Sequence, residues 1–253
     1  ARNWNIAGYP ITDRAGAQIG FNTGQYTNPI WAAHHNVITT FDNRTVGNIR
    51  AGYKFNSFFA INYQFGFNNY TLNRDAIVDE SSYGGSDNAL GNITETFYNN
   101  QELQSTIVAS FTPKIVKDFT LDFKIGNDIN QRISRSQQVY GVDFIVPNLY
   151  NLGNTNNKFF NSDSRSKRRL VGVFADATLG YKGFAFLNLA GRADLTSTLP
   201  YQNSRYFYPG ISGSLVWTDA FKIQSDWLNY GKLRVGYAKV GNDASPQNGQ
   251  DVF

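Results

Sequence analysis

Cysteine and methionine are absent from the sequence, and histidine is limited to the adjacent pair His34 and His35. Without cysteine, these 253 residues can form no disulfide framework, thiolate metal site or cysteine nucleophile. Adjacent residues of an extended chain point to opposite faces, and no carboxylate cluster flanks the two histidines. We therefore interpret them as polar loop residues and expect neither a metal site nor a cofactor.

Charge is also scarce, with 17% Asp, Glu, Lys and Arg and a formal net charge of +4. The basic residues are dispersed and do not form a stripe with stacking aromatics, so nucleic acid is not an expected partner. The sequence contains no Ser-His-Asp spacing, no glycine-rich phosphate loop and no convincing carboxylate pair. We expect no catalytic residues and no enzymatic activity.

Long hydrophobic runs are missing too. No stretch approaches the roughly 18 consecutive apolar residues of a transmembrane helix, and residues 1–8 lack the order of a signal peptide. This excludes a helical membrane protein. It does not exclude a transmembrane barrel, because only alternate residues of a barrel strand face lipid.

Aromatic residues and glycine are abundant, with 20 Phe, 15 Tyr and 23 Gly. Aromatic and β-branched residues favour strands, and Gly and Asn favour turns, so the composition predicts an all-β chain. Apolar and polar residues alternate with a period of two, for example Ile49, Ala51 and Tyr53 against Arg50 and Lys54. Strands are predicted at 46–55, 59–67, 103–112, 119–130, 171–181, 184–195, 206–217 and 233–241.

The predicted connections are of two kinds. Links at 56–57, 113–118 and 182–183 are short, whereas those at 70–102 and 131–170 are long and polar. Alternating short turns and long loops are typical of an outer-membrane barrel, and strands of about 10 to 12 residues match a tilted membrane crossing. Two alternatives stay open: a soluble all-β carbohydrate-binding or adhesive module, and a complete small barrel of eight strands ending at Phe253.

Two stretches resemble a known family. "GRADLTSTLPYQNSRYFYPGISGSLVW" (191–217) and "YGKLRVGYAKVGNDASP" (230–246) are similar to the paired signature of the SusC/RagA-type TonB-dependent transporters. Weaker similarity extends over "NPIW" (28–31), "DNRTVGNIRAGYKF" (42–55) and "KRRLVGVFADATLGYKGFAFL" (167–187). After Asp243 the sequence departs from the usual Pro-Tyr continuation of the second motif.

The resemblance implies a barrel of 22 strands around an N-terminal plug in the outer membrane of a Gram-negative bacterium. It also implies a SusD-like surface lipoprotein as a lid, the TonB complex as a partner through the plug, and glycans or peptides as imported substrates. Eight strands are about a third of such a barrel. We therefore expect residues 1–253 to be a middle portion of the barrel domain, without plug, TonB box or signal peptide.

The polar positions of the predicted strands supply the candidate lumen lining, because they alternate with residues that would face lipid. These candidates are Arg50, Asn62, Gln64, Asp122, Lys124, Asp128, Asp176, Arg192, Asp194 and Arg234.

Aromatic residues outside the alternation form two further sets. One set is predicted in loops, where a ring can contact substrate: Trp31, Tyr83, Tyr98, Tyr140 and Tyr150. The other follows the tip at 196–204 and is predicted to lie at the membrane interface: Tyr206, Phe207 and Tyr208.

Two charged segments complete the list of candidates. Arg165, Lys167, Arg168 and Arg169 precede a predicted strand, where they either contact lipopolysaccharide phosphates or form a solvated rim. The acidic segment 75–87 does not match the spacing of an EF-hand, so we expect a solvated loop rather than a calcium site.

Overall fold

The computed structural model describes residues 8–20, 26–82, 90–200, 202, 204–223, 225 and 227–241. Most of these residues lie in eight strands: β1 Ile38–Lys54, β2 Phe59–Val78, β3 Asn92–Phe111, β4 Phe119–Phe144, β5 Thr155–Tyr181, β6 Ala185–Thr196, β7 Arg205–Val216 and β8 Lys232–Ala238. The described residues also form three short helical segments: α1 (Pro29–His35), α2 (Trp217–Ala220) and a 3-10 turn at Leu152–Asn154. No helix in the described ranges has the length and apolar character needed to cross a membrane.

The strands form one antiparallel sheet in which each strand pairs with its neighbours in sequence, in the order β1 to β8. The all-β fold predicted from the sequence is therefore confirmed. The described strands do not close on themselves, because β1 and β8 are the two edges of the sheet. This order does not fit the alternative of a complete eight-stranded barrel.

The first five strands are longer than predicted, and the long loops proposed at 70–102 and 131–170 are wrong. β2 continues to Val78, β3 starts at Asn92, β4 runs to Phe144 and β5 starts at Thr155. The added segments are rich in Asn, Gln, Ser and Arg and lack a clear apolar alternation. Sheet hydrogen bonds need only backbone groups, so such segments form strands without the hydrophobic signal that predicts them.

The short predicted links are turns. At 56–57, the Asn56 side chain accepts hydrogen bonds from the amides of Phe58 and Phe59, at 3.0 and 2.8 Å. At 182–183, Lys182 and Gly183 both have positive φ angles of 47° and 76°. Two successive positive φ values are the signature of a type I′ turn, whose twist matches that of the flanking strands.

The register of β5 to β8 divides the sheet into two faces. Leu179 pairs with Leu187, and Leu189 with Ile211, whereas Thr178 pairs with Asn188. Side-chain contacts carry this division to the other strands: Tyr63 with Ser105 on the side of the odd-numbered residues and Gln104 with Asp128 on the other. We call the odd-numbered side of the sheet the apolar face and the even-numbered side the polar face. Both names apply to the second of the two units that are described in the next paragraph.

The chain divides into two compact units. The first comprises Ala1–Arg44, Tyr70–Asn100 and Ser134–Arg165, and the second Thr45–Asn69, Gln101–Ile133 and Ser166–Phe253. Among the described residues, the first unit buries four apolar side chains: Trp31, Ile93, Val142 and Phe144. In the described part of the second unit Val216 is the buried apolar residue. The second unit therefore has a sheet with an exposed apolar face and almost no core of its own.

Candidate functional site on the polar face

An ion-pair network occupies the polar face of the second unit. Arg192 Nε lies 2.6 Å from Asp194 Oδ1, and Arg192 Nη2 lies 3.5 Å from Asp128 Oδ2. The other oxygen of Asp128 accepts hydrogen bonds from Thr106 Oγ1 at 2.7 Å and Gln104 Nε2 at 3.2 Å. Arg192 thus pairs with two carboxylates, and neutral donors from β3 hold Asp128, in line with the rule that partly buried charges are paired and hydrogen-bonded.

Gly172 makes this network possible. It lies on β5 between β4 and β6, opposite Asp194 in the register. A Cβ at this position would overlap the Arg192 guanidinium and the Asp194 carboxylate. The absence of a side chain leaves the space through which Arg192 reaches from β6 across β5 to β4, a distance of about two strand spacings, or ~10 Å.

Three smaller polar clusters surround the network. Glu102 accepts hydrogen bonds from Asn130 and Arg132, at 2.9 and 3.1 Å. A second cluster joins Asn188 Nδ2 to Asp176 Oδ2 and Thr178 Oγ1, each at 2.9 Å. The third is the pair of Lys124 Nζ with Asp122 Oδ1 at 3.4 Å.

The candidates for the lumen lining all lie on this face. All of them are even-numbered residues, and the even-numbered residues form the polar face. On β8, for example, Arg234 pairs with the even-numbered Ser214 of β7. The contacts bring Asp128, Arg192 and Asp194 together, and separately Asp122 with Lys124. Sequence reasoning missed Gln104, Thr106 and Asn130, although their even-numbered positions in the predicted strands carried the same signal. It also missed Glu102 and Arg132, which lie in segments predicted as loops.

On β5, an aromatic residue interrupts the polar face, and the reason is local packing. Phe174 lies on β5 at an even-numbered position, and its ring occupies the space where a Cβ at Gly126 would be. Gly126 lies on β4, so the ring covers the neighbouring strand at a residue without a side chain. This packing accounts for the break in alternation within 171–181.

The three aromatics after the tip do not lie on one face of the sheet. Tyr206 pairs with Asp194 and Tyr208 with Arg192, so both rings lie on the polar face, with their centroids 6.3 Å apart. Phe207 pairs with Ala193 on the apolar face and is 65% exposed. Because side chains alternate along a strand, Phe207 lies on the opposite face from Tyr206 and Tyr208. The location of the three rings at a membrane interface stays a prediction.

The loop aromatics are engaged in packing or in strands. Trp31 is buried in α1 and stacks on His35 with ring centroids 3.6 Å apart, so its faces are not open to a sugar ring. Tyr98 lies in β3, 6.1 Å from Tyr70, and Tyr140 lies in β4, 6.4 Å from Phe159. Tyr150 is held by Asp79, as described next. Tyr83, together with the end of the segment 75–87, lies outside the described residues.

A buried carboxylate organises the first unit. Asp79 accepts a hydrogen bond from the Tyr150 hydroxyl at 2.5 Å and lies 3.5 Å from His35 Nδ1. Burial, followed by the hydrogen bond to Asp79, raises the pKa of Tyr150 well above its usual range. Burial and the neighbouring charge of Asp79 also raise the pKa of Glu80. His35 lies in a helix and beside a carboxylate, which corrects its assignment to a polar loop.

No group of three metal-ligating side chains occurs in the described parts of the chain. Asn28 begins α1 as its N-cap and accepts hydrogen bonds from the amides of Ile30 and Trp31, at 2.9 and 3.4 Å. The segment "NPIW" is thus a capped helix start with proline at its first position.

These features define a class of structure: an antiparallel sheet with one uncovered apolar face and one polar face held together by ion pairs, as in a segment of a barrel wall. Neither protein-family models nor curated proteins yielded a match.

Solved structures do match. The structure of the RagAB peptide transporter is 15% identical, with a TM-score of 0.79 over 91% of this chain and 26% of that chain. The RagAB peptide importer in the 'closed-closed' state is 15% identical, with a TM-score of 0.78 over 93% of this chain and 27% of that one. The 'open-open' state is 14% identical, with a TM-score of 0.76, over 94% and 28%. The chain spans about a quarter of the chains it matches and shares their fold.

Proposed function

We propose that this chain forms part of the wall of an outer-membrane importer of the SusC/RagA type. The observation that carries the proposal is the division of the second unit into an uncovered apolar face and a paired polar face. In this arrangement the apolar face contacts lipid, and the polar face lines a water-filled lumen. Residues 1–253 are then a partial barrel domain, and the whole transporter lies in the outer membrane of a Gram-negative bacterium.

The exposure of the apolar face supports a lipid environment. Val235, Tyr237 and Ile49 are 69%, 72% and 66% exposed. Burying a side chain of this size stabilises a protein by about 1.5–3 kcal/mol, and a soluble fold would lose that contribution at each such position. Contact with acyl chains removes these surfaces from water. The same exposure weighs against a soluble carbohydrate-binding module, whose two sheets would cover each other's apolar faces.

The polar face suits passage of a hydrated substrate. Its charges occur in both signs and mostly as pairs, so the wall presents hydrogen-bonding groups without a strong field of one sign. A peptide or a glycan can exchange hydrogen bonds with such a surface. The RagAB structures are described as those of a peptide transporter, which makes peptides the first substrate class to test.

The proposed partners are those that the sequence resemblance to the SusC/RagA type implies. A SusD-like surface lipoprotein would close the external opening, and the TonB complex would act through a plug carried by the complete importer. The chain would transport through its lumen only as part of that assembly, with no catalytic chemistry of its own.

Import assays on the complete encoded chain test this proposal. Source cells carrying or lacking the gene are given fluorescent oligopeptides and oligosaccharides, with and without a proton uncoupler. We expect deletion and uncoupling to abolish uptake of one substrate class, and the protein to fractionate with the outer membrane. Recovery of the protein in the soluble fraction, or uptake that neither treatment affects, would contradict the proposal.

A further inference from the structure

Charge on the apolar face is restricted to one sign and one end of the strands. Among the strand residues of the second unit, this face carries three charged side chains, Lys167, Arg169 and Arg205, and all are basic. The polar face of the same strands carries both signs.

The three cations lie next to the 197–204 connection. Arg205 pairs with Leu195, which in turn pairs with Val171, so these residues form one row across β7, β6 and β5. Arg169 lies one row closer to the connection, where its amide donates to Ser197 Oγ at 2.8 Å. Lys167 precedes Arg169 by two residues on β5 and lies on the same side. The three cations thus lie at the end of the apolar face next to the 197–204 connection, and we call them the basic border.

An apolar groove begins beside Arg169 of this border and extends towards β2. Phe65, Leu103, Ile129 and Val171 line it on the apolar face, and Arg169 and Gln131 stand at its edge. Gln131 Oε1 accepts hydrogen bonds from Nε of Arg169, at 3.0 Å, and from Nη2. A guanidinium has five N–H donors, so two are used to orient it.

Four cations are close together in the sequence, at positions 165 and 167–169. Two of them, Arg165 and Arg168, do not belong to the basic border. Arg168 is at an even-numbered position, and its charge acts on Glu102 on the polar face. Arg165 lies in the first unit and pairs with Asp163 at 3.3 Å. The register instead adds Arg205, which is distant in sequence. Only residues that share the apolar face can bind a ligand that lies in lipid.

We propose that the basic border binds the phosphate group of an outer-leaflet lipid, with an acyl chain of the same molecule in the groove. This inference rests on the proposed function, which places the apolar face in the membrane. The 197–204 connection, at the opposite end of the strands from the short turns, then lies outside. Arginine binds phosphate through parallel N–H···O bonds, and clustered cations attract anionic headgroups. An amphipathic ligand with a phosphate at the border of its acyl region matches both halves of the site. The phosphorylated lipid A of lipopolysaccharide has this chemistry.

The test uses the complete encoded chain, purified in mild detergent from the outer membrane of a Gram-negative host. Lipopolysaccharide retained per protein is measured by native mass spectrometry, and bisphosphorylated lipid A is then titrated back. The variant Lys167→Gln/Arg169→Gln/Arg205→Gln is compared with Arg168→Gln, which removes a cation from the same strand on the other face. We expect about a hundredfold loss of lipid A affinity in the triple variant and no change in Arg168→Gln.

Four other outcomes would overturn the inference. Equal binding by the triple variant would exclude the basic border. Equal binding of dephosphorylated lipid A would exclude the phosphate contact, and displacement by inorganic phosphate at the same concentration as lipid A would exclude the groove. Retained lipid with loss of a co-purifying acidic protein would make this surface a protein interface. Failure of the wild-type chain to reach the outer membrane would instead contradict the proposed function.

Discussion

Arg192 of β6 lies 3.5 Å from Asp128 of β4, although β5 separates the two strands. The contact depends on Gly172, which leaves the surface of β5 open at this point. A charged pair that spans three strands adds a restraint to the backbone pairing, because it couples side chains that are not neighbours in the ladder. The polar face therefore contributes to holding the sheet together.

Substituting Gly172 with alanine tests this coupling. The added methyl group would displace the Arg192 guanidinium, so we expect the free energy of unfolding to fall by about 1–3 kcal/mol. Denaturant unfolding of the complete barrel in detergent measures the change. Gly210→Ala is the control, since a Cβ there meets its nearest neighbours at an ordinary 3.7 Å, and we expect a change within about 0.5 kcal/mol. Equal effects of the two substitutions would show that the cross-strand pair is not the cause.

Single cysteines distinguish the two faces of β6. The 253 residues contain no cysteine, so Asn188→Cys and Leu189→Cys each introduce a single thiol into this segment. The thiolate reacts with a membrane-impermeant maleimide only where water reaches it. We expect rapid labelling at 188 and at least about tenfold slower labelling at 189 in outer-membrane fractions. Similar rates at both positions would contradict the division into lipid and lumen faces.

A charge on the apolar face should impair assembly. Under the proposed function, Leu189→Arg places a guanidinium among acyl chains near the middle of β6, where arginine costs about 2–4 kcal/mol in a barrel strand. Ala190→Arg places the same side chain on the polar face one residue later. We expect a lower yield of heat-modifiable, folded protein for Leu189→Arg and a nearly normal yield for Ala190→Arg. The opposite ranking would reverse the assignment of the faces.

Tyr150 should make the first unit sensitive to alkaline pH. Its raised pKa means that the folded state holds the phenolic proton more tightly than the unfolded state does. The resulting stabilisation is fully present below the ordinary tyrosine pKa of about 10 and is lost as pH rises toward the folded-state value. Hydrogen exchange of residues 70–82 and 134–154 as a function of pH measures it.

The variant Tyr150→Phe removes the donor to Asp79, whose exposure is 3%. Leaving a buried acceptor without this partner costs about 1–3 kcal/mol, so exchange in the first unit should be faster at neutral pH. The variant should also lose the alkaline transition. A variant that exchanges at the wild-type rate would indicate that water replaces the hydroxyl without loss.

Much of the fold could be predicted because a period of two is a local property. Alternation in 46–55 and 171–181 predicted strands and their faces, and the Lys182–Gly183 turn was marked by a glycine next to a strand end. The extensions of β2 to β5 were missed, since polar residues on both sides give no alternation to detect. The Asp79 cluster was also missed, because His35, Asp79 and Tyr150 are far apart in sequence.

The sequence by itself determined the alternation along each strand, and with it which residues share a face. It could not determine the register between strands, because a shift by two residues preserves every face and changes every neighbour. The tertiary structure decided that Arg192 meets Asp128 across Gly172. It also placed Tyr206 and Tyr208 beside Asp194 and Arg192, and it brought Arg205 to the border formed by Lys167 and Arg169. Those contacts depend on backbone pairing between distant segments, which no local pattern records.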